Sequence, residues 1–198
     1  MDIRDHNGIP IDISRIEKPE QDLAKEYIQE NDIVLELGAR YGSVSCVINS
    51  KLNNKTNQVS VEPDERVWRA LERNRDANDC KFHIVKGFIS SKKLGLTEIN
   101  SYGGYGTTSV VDCESKISSY TMSEIKNKYN LDFNVIVADC EGFLEEFFNE
   151  NKELFDKLRL IIFEADYTHK CNYGKIKEYL KEIGLTKIRE GHQNVWKR

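Results

Sequence analysis

The stretch from Ile33 to Ser43, Ile-Val-Leu-Glu-Leu-Gly-Ala-Arg-Tyr-Gly-Ser, constrains this chain more than any other. Its first part, Ile33 to Leu37, is an apolar run interrupted only by Glu36, and it reads as a buried strand of a parallel sheet. The strand runs directly into Gly38, and a second glycine follows at Gly42. Ser43 to Asn49 can continue as a helix. A strand, a glycine turn and a helix start form a nucleotide-sized pocket. The glycines let the backbone approach a ligand, and the first N–H groups of the helix face it.

The spacing of the glycines selects the ligand. A dinucleotide fingerprint has three glycines, so that a pyrophosphate lies on the helix N-terminus. Here the order is Glu36-x-Gly38-x-x-x-Gly42, and Arg40 stands where the middle glycine would be. A carboxylate on the first strand suits an amine-bearing ligand better than a pyrophosphate. This pattern resembles the first motif of class I S-adenosylmethionine (SAM) methyltransferases, in which that acid lies near the methionine end. By that resemblance Glu36, Gly38, Ala39, Gly42 and Ser43 are cofactor candidates. A glycine turn that merely closes a loop is the plain alternative.

A second acid agrees. Gln58 to Glu62 reads as a strand, and Glu62 lies 24 residues beyond Gly38, near the roughly 20-residue offset of an acid that binds ribose hydroxyls. Pro63 ends that strand, and Asp64 can cap the next helix, with Val67, Trp68 and Leu71 on one face. Phe82 to Phe88 reads as a third strand entering Gly87. In such folds Gly87, Phe88 and Ile89 border the adenine, although Phe88 could equally be core.

The composition bounds the class. The chain has 198 residues with 39% hydrophobic and 31% charged, which suits a globular domain with its own core. No apolar run approaches the roughly 20 residues of a membrane span, and the N-terminus lacks the apolar centre of a signal peptide. The net charge of −4 weighs against nucleic acid as the main partner, since phosphates want a basic footprint. Five cysteines without a Cys-x-x-Cys pair read as reduced thiols in a cytoplasmic protein.

No linker or repeat divides residues 1–198, so one domain is the economical reading. Residues 1–18 read as irregular, and Pro19 to Glu30 as a helix. Strand and helix patterns then alternate, as in a parallel sheet covered on both faces. Residues 91–120 break the alternation. They contain Tyr102-Gly103-Gly104-Tyr105-Gly106-Thr107-Thr108-Ser109 and read as an irregular acceptor-binding loop or a surface excursion. Thr121 to Glu124 is a capping box. Phe133 to Ala138 and Leu158 to Phe163 read as strands four and five, Tyr173 to Ile183 as a helix stopped by Gly184, and Thr186 to Trp196 as a hairpin.

The acids gather where strands end: Glu62, then Asp139 and Glu141, then Glu164 and Asp166. Open α/β sheets bind ligands there. Methyl transfer to a hydroxyl needs an aligned acceptor oxygen and a base. Asp139 and Asp166 are the placed carboxylates, and His169 is the histidine nearest these ends. Asp139 and Asp166 could also hold a divalent cation. Metal-dependent O-methyltransferases, however, usually follow the later acid with a second Asp or Asn, and here Tyr167 follows Asp166.

Four segments together resemble the FkbM family of SAM-dependent O-methyltransferases. They are Asn31 to Gly42, Val61-Glu62-Pro63, Ile136 to Gly142 and Ile161 to Glu164. The Asp139-Cys140-Glu141-Gly142 run, similar to the family's Asp-x-Glu-Gly signature, is the most distinctive. Two places depart from the pattern: Arg40-Tyr41 replaces the usual Asn-Ile, and Ala138 precedes the signature Asp. The resemblance implies a Rossmann-like α/β fold, with a mostly parallel seven-stranded sheet closed by an antiparallel hairpin. It also implies SAM as cofactor, with Pro63 and Glu141 among its contacts, and a small hydroxylated acceptor, a sugar of a glycan. A non-catalytic SAM-fold module, an NAD-dependent oxidoreductase and a nucleic-acid methyltransferase are the rival readings.

Overall fold

The computed structural model describes residues 1–98 and 107–198. Most of the tyrosine- and glycine-rich run beginning at Tyr102 lies outside the described residues. Seven strands form one sheet: β1 (Val34–Leu37), β2 (Gln58–Glu62), β3 (His83–Lys86), β8 (Val135–Ala138), β9 (Leu160–Glu164), β10 (Thr186–Arg189) and β11 (Gln193–Lys197). Their order across the sheet is β10-β11-β9-β8-β1-β2-β3. The pairs among β3, β2, β1, β8 and β9 are parallel, while β11 runs antiparallel to both β9 and β10. The expected terminal hairpin is therefore present, and strand order reverses between β1 and β8, where an open sheet leaves its ligand crevice.

Strand alternation sorts the side chains by face. Leu35, Leu37, Ile136, Ala138, Ile161 and Phe163 pack with helices α5 (Leu144–Glu150), α6 (Lys152–Asp156) and α7 (Tyr173–Glu182). Val34, Val135, Val137, Leu160, Ile162 and Val195 face α1 (Lys18–Tyr27) and α2 (Ser43–Lys51). The same count of two puts Glu36, Asp139, Glu164 and Gln193 on the α1 side. Two further helices start from side-chain caps. Asp64 accepts from the Arg66 amide at 3.0 Å to open α3 (Glu65–Ala77), and Thr121 with Glu124 makes the expected capping box of α4 (Met122–Tyr129).

Three sequence expectations are corrected. The third strand stops at Lys86, because Gly87 turns the chain at φ +146°; a Cβ there would lie 2.2 Å from the Ser118 carbonyl oxygen. Phe88 and Ile89 instead form β4 (Phe88–Ile89), parallel to β7 (Ser119–Tyr120). The described residues of the segment 91–120 are not all irregular. Leu94–Glu98 (β5) and Thr107–Val111 (β6) pair antiparallel. The N-terminal residues pair across an Arg4–Pro10 bridge, and Ile3 is buried against α3. Among the described residues, no helix is long and apolar enough to cross a membrane.

Candidate functional site

A cleft of about 860 Å³, counted to its open mouth, lies at the carboxyl ends of β1, β2 and β8. Its floor is the glycine turn. Gly38 has φ +88°, and a Cβ on it would sit 1.7 Å from the Asp139 carbonyl oxygen. No side chain fits between the ends of β1 and β8, so the residue must be glycine.

The amides of this turn are mostly occupied. Gly38 and Ala39 donate to the Val61 carbonyl at 3.0 and 3.1 Å, and Gly42 donates to Ala39 at 2.8 Å. The turn offers bare backbone, which does not suit a pyrophosphate.

Glu62 lines the cleft as a buried residue with both oxygens held. Oε2 accepts from the Arg40 amide at 2.6 Å, and Oε1 from the Asp64 amide at 2.8 Å. Burial pushes its carboxyl up to about 7 even though those amides favour the charged form. Two fixed oxygens in a cleft lining can accept from a vicinal diol. The adjoining wall carries Gly87, whose amide donates to the Glu62 carbonyl at 3.0 Å, with Phe88 and Ile89; the Phe88 ring is 5.8 Å from that of Phe143. Pro63 lines the same side.

The structure thus brings Gly38, Glu62, Pro63, Gly87, Phe88, Ile89, Asp139 and Glu141 to one cleft. Other predicted residues lie elsewhere. Ala39 is buried with the α3 core. Gly42 caps α2 in the left-handed conformation, and the Ser43 hydroxyl is bonded to Glu17. Glu36 lies beneath the cleft, where its Oε2 accepts from Ser60 Oγ at 2.5 Å and burial pushes its carboxyl up to about 7. It lines a narrow cavity with Glu17, Glu20, Asp139 and Gln193. Asp166 is not in the cleft lining, but one of its oxygens lies within 4.8 Å of an oxygen of Asp139 and of Glu164, and it accepts from the Tyr173 hydroxyl at 3.2 Å. His169 is exposed on the turn after β9, in a separate hollow with Glu145 and Lys170.

Glu17, Arg40 and Phe143 line the cleft although the sequence reading gave them no ligand role, while Leu96, Thr107 and Ser109 belong to the 91–120 segment it offered as an acceptor-binding loop. Phe143 directly follows the Asp139–Gly142 run and was legible from it. Leu96, Thr107 and Ser109 come from the β5–β6 hairpin, which Lys170 ties down by donating to Thr108 Oγ1 at 2.5 Å. Glu17 reaches the site from the left-handed residue before α1, and no local pattern marks it.

Burial also raises the Asp139 carboxyl well above the carboxylate range, with Glu141, Glu17 and Glu20 adding to it. Glu164 is pushed up to about 9 by burial and by its neighbour Glu20. The site is therefore a cleft with one wall for a flat group, a fixed carboxyl able to accept from a diol, and an end crowded with buried, proton-holding carboxyls.

No family model matches the chain, and no curated protein does. Solved structures do. The chain is similar to the precorrin-6y C5,15-methyltransferase of Geobacter metallireducens, with a TM-score of 0.54 and 12% identity over 90% of this chain and 88% of that one. The fold is a Rossmann-like methyltransferase fold. An rRNA methylase of Streptococcus thermophilus matches with a TM-score of 0.51 and 8% identity, covering 91% of this chain and 94% of its own. A protein of the NADB-Rossmann superfamily from Streptococcus agalactiae matches at 0.55 and 7%, over 90% and 67%. At such identities the likeness carries the fold alone.

Proposed function

We propose that this chain is a SAM-dependent O-methyltransferase that modifies a hydroxyl of a small acceptor, a sugar of a glycan, in the manner of the FkbM family it resembles. The observation that carries the reading is Glu62, whose two oxygens are fixed by backbone amides in the cleft lining it shares with Gly38. The residues fit the cofactor. Glu62 would take the ribose diol, Phe88 and Ile89 would cover the adenine, and the Gly38 backbone with Asp139 would border the methionine end. SAM supplies an electrophilic methyl group on a sulfonium.

The chain's own residues then have the remaining work. Asp139 receives the hydrogen bond of the acceptor hydroxyl and takes its proton as the oxygen is methylated. Its raised affinity for a proton makes it a stronger base than a solvent-exposed aspartate. Thr107, Ser109 and Glu141 supply polar groups along the acceptor wall, as a sugar requires. Phe143 and Leu96 exclude water from the inner end.

Calorimetric titration tests this. SAM and its demethylated product should both bind at micromolar concentration, NAD should not, and Glu62→Ala should weaken SAM at least about tenfold, or 1.4 kcal/mol. Tighter binding of NAD than of SAM would sink the reading. With binding in hand, transfer of labelled methyl to a glycan panel should be lost in Asp139→Asn. Transfer to RNA alone would redirect the acceptor assignment.

A further inference from the structure

We propose that the hollow between the two chain segments flanking β5 and β6 binds a phosphate or sulfate group carried by the acceptor sugar. Residues 90–93 lead from β4 to β5, and residues 112–118 lead from β6 to β7. The two segments are tied together. The Asp112 amide donates to the Lys93 carbonyl at 3.1 Å, and the Ser90 amide donates to the Tyr120 carbonyl at 2.9 Å. Lys92, Lys93 and Lys116 line the hollow, with Ser90, Ser115 and Ser118. A tetrahedral oxyanion takes hydrogen bonds from ammonium and hydroxyl groups together.

The acids nearby are already engaged. On α5, Glu146 takes the Lys92 ammonium at 2.8 Å, and Glu150 accepts from the Ser90 hydroxyl, the Ser91 amide and the Ser91 hydroxyl at 2.8 to 3.1 Å. Lys93 and Lys116 are left with no ion pair or hydrogen bond among the described residues. Elsewhere lysines such as Lys86, Lys126 and Lys187 hold carboxylates. The chain has a net charge of −4, so two unpaired lysines lining one hollow are not the by-product of a generally basic surface. Ser115 is buried, and its hydroxyl accepts from the Ile117 amide at 3.2 Å. Its proton has no acceptor among the described residues and can be donated to an anion. Glu114 is the one acid among the described lining residues.

The hollow is joined to the cleft. A groove beside α5 is lined by Ser91 and Lys92, which also line the hollow, and by Ser109 and Phe143, which also line the cleft. An acceptor whose hydroxyl reaches Asp139 can extend along this groove and set an anionic group against Lys93 and Lys116. A single small hollow suits one sugar ester. A polyanionic backbone would call for a longer run of basic residues. That the anion belongs to an acceptor rests on the methyltransferase reading; the affinity of the hollow for an oxyanion does not.

The experiment is titration of inorganic phosphate into the full chain without SAM, at constant ionic strength, followed by amide NMR. The expected result is a saturable shift centred on residues 90–93 and 115–119. Lys93→Gln and Lys116→Gln should each weaken it at least about tenfold, and Glu114→Gln should strengthen it. Lys181→Gln, which alters an exposed lysine of α7, should leave it unchanged. All four side chains are exposed, and the amide spectrum of each variant verifies its fold. Glucose 6-phosphate should displace the inorganic phosphate, and glucose should not. Absence of a saturable shift, or binding equally strong in Lys93→Gln and Lys116→Gln, overturns the proposal. A short single-stranded RNA that binds the hollow more tightly than the sugar phosphate overturns it as well. A SAM titration run beside it keeps the two readings apart. Phosphate bound without affinity for SAM leaves the anion site standing and the methyltransferase reading fallen; SAM bound without phosphate does the reverse.

Discussion

Gly38 and Glu62 illustrate how single residues set this site. At Gly38 the backbone is left-handed and the Asp139 carbonyl occupies the space of a side chain. Gly38→Ala should therefore destabilise the protein by about 2–5 kcal/mol, combining left-handed strain with a forced shift of β8. Urea denaturation measures this, and a loss below about 1 kcal/mol would mean that the two strand ends can separate. Both residues were legible in the sequence, because a glycine after a strand and an acid after the next strand are local signals. Glu36 was legible as an acid but not in its place. Its alternation with Val34 sends it to the α1 side, under the turn, where Ser60 and Gln58 bond it. Counting along the strand from Val34 was the available signal.

Among elements, the strands were the most legible and the β5–β6 hairpin the least. Buried strands such as Leu160–Glu164 are nearly continuous apolar runs. The hairpin is disguised by Gly95 and by the hydroxyl run Thr107-Thr108-Ser109, which read as loop. Its strands are held by pairing with each other and by Lys170, contacts that no window of sequence displays. The helical layer beyond the sheet rests on aromatic packing. Phe163 is fully buried and stacks on Tyr173 at 5.7 Å with the rings 6° apart. Phe163→Ala should cost about 3–5 kcal/mol, read from the urea midpoint at unchanged slope. A loss under about 1.5 kcal/mol would show that α7 closes the gap. The same ring packing holds the Tyr173 hydroxyl on Asp166, so the variant should also loosen that corner of the site.

For the molecule as a whole, the unusual property is where its acids are. The net charge of −4 is small, yet buried carboxyls gather at one end of the sheet. Glu36 and Glu62 titrate near 7 in the folded chain and Glu164 near 9, against 4.5 when unfolded. The folded state thus keeps protons that the unfolded chain releases. Their stabilising contribution is complete below about pH 4.5 and is lost as pH rises through 7 to 9. The melting temperature should fall by at least about 4 °C between pH 5.5 and 8.5, and Glu36→Gln should flatten that slope. A flat profile in the parent protein would refute the burial argument. The reversal of strand order has a separate consequence, in the time the chain takes to be made. β1 and β8 are neighbours, joined where the Ile33 amide meets the Asn134 side chain, 101 positions apart. A ribosome adding roughly 5–20 residues per second leaves β1 without its central partner for roughly 5–20 s. During that interval the crevice has only one wall, so no small molecule can rescue a nascent chain by binding there. The waiting edge is the surface that a chaperone would have to cover.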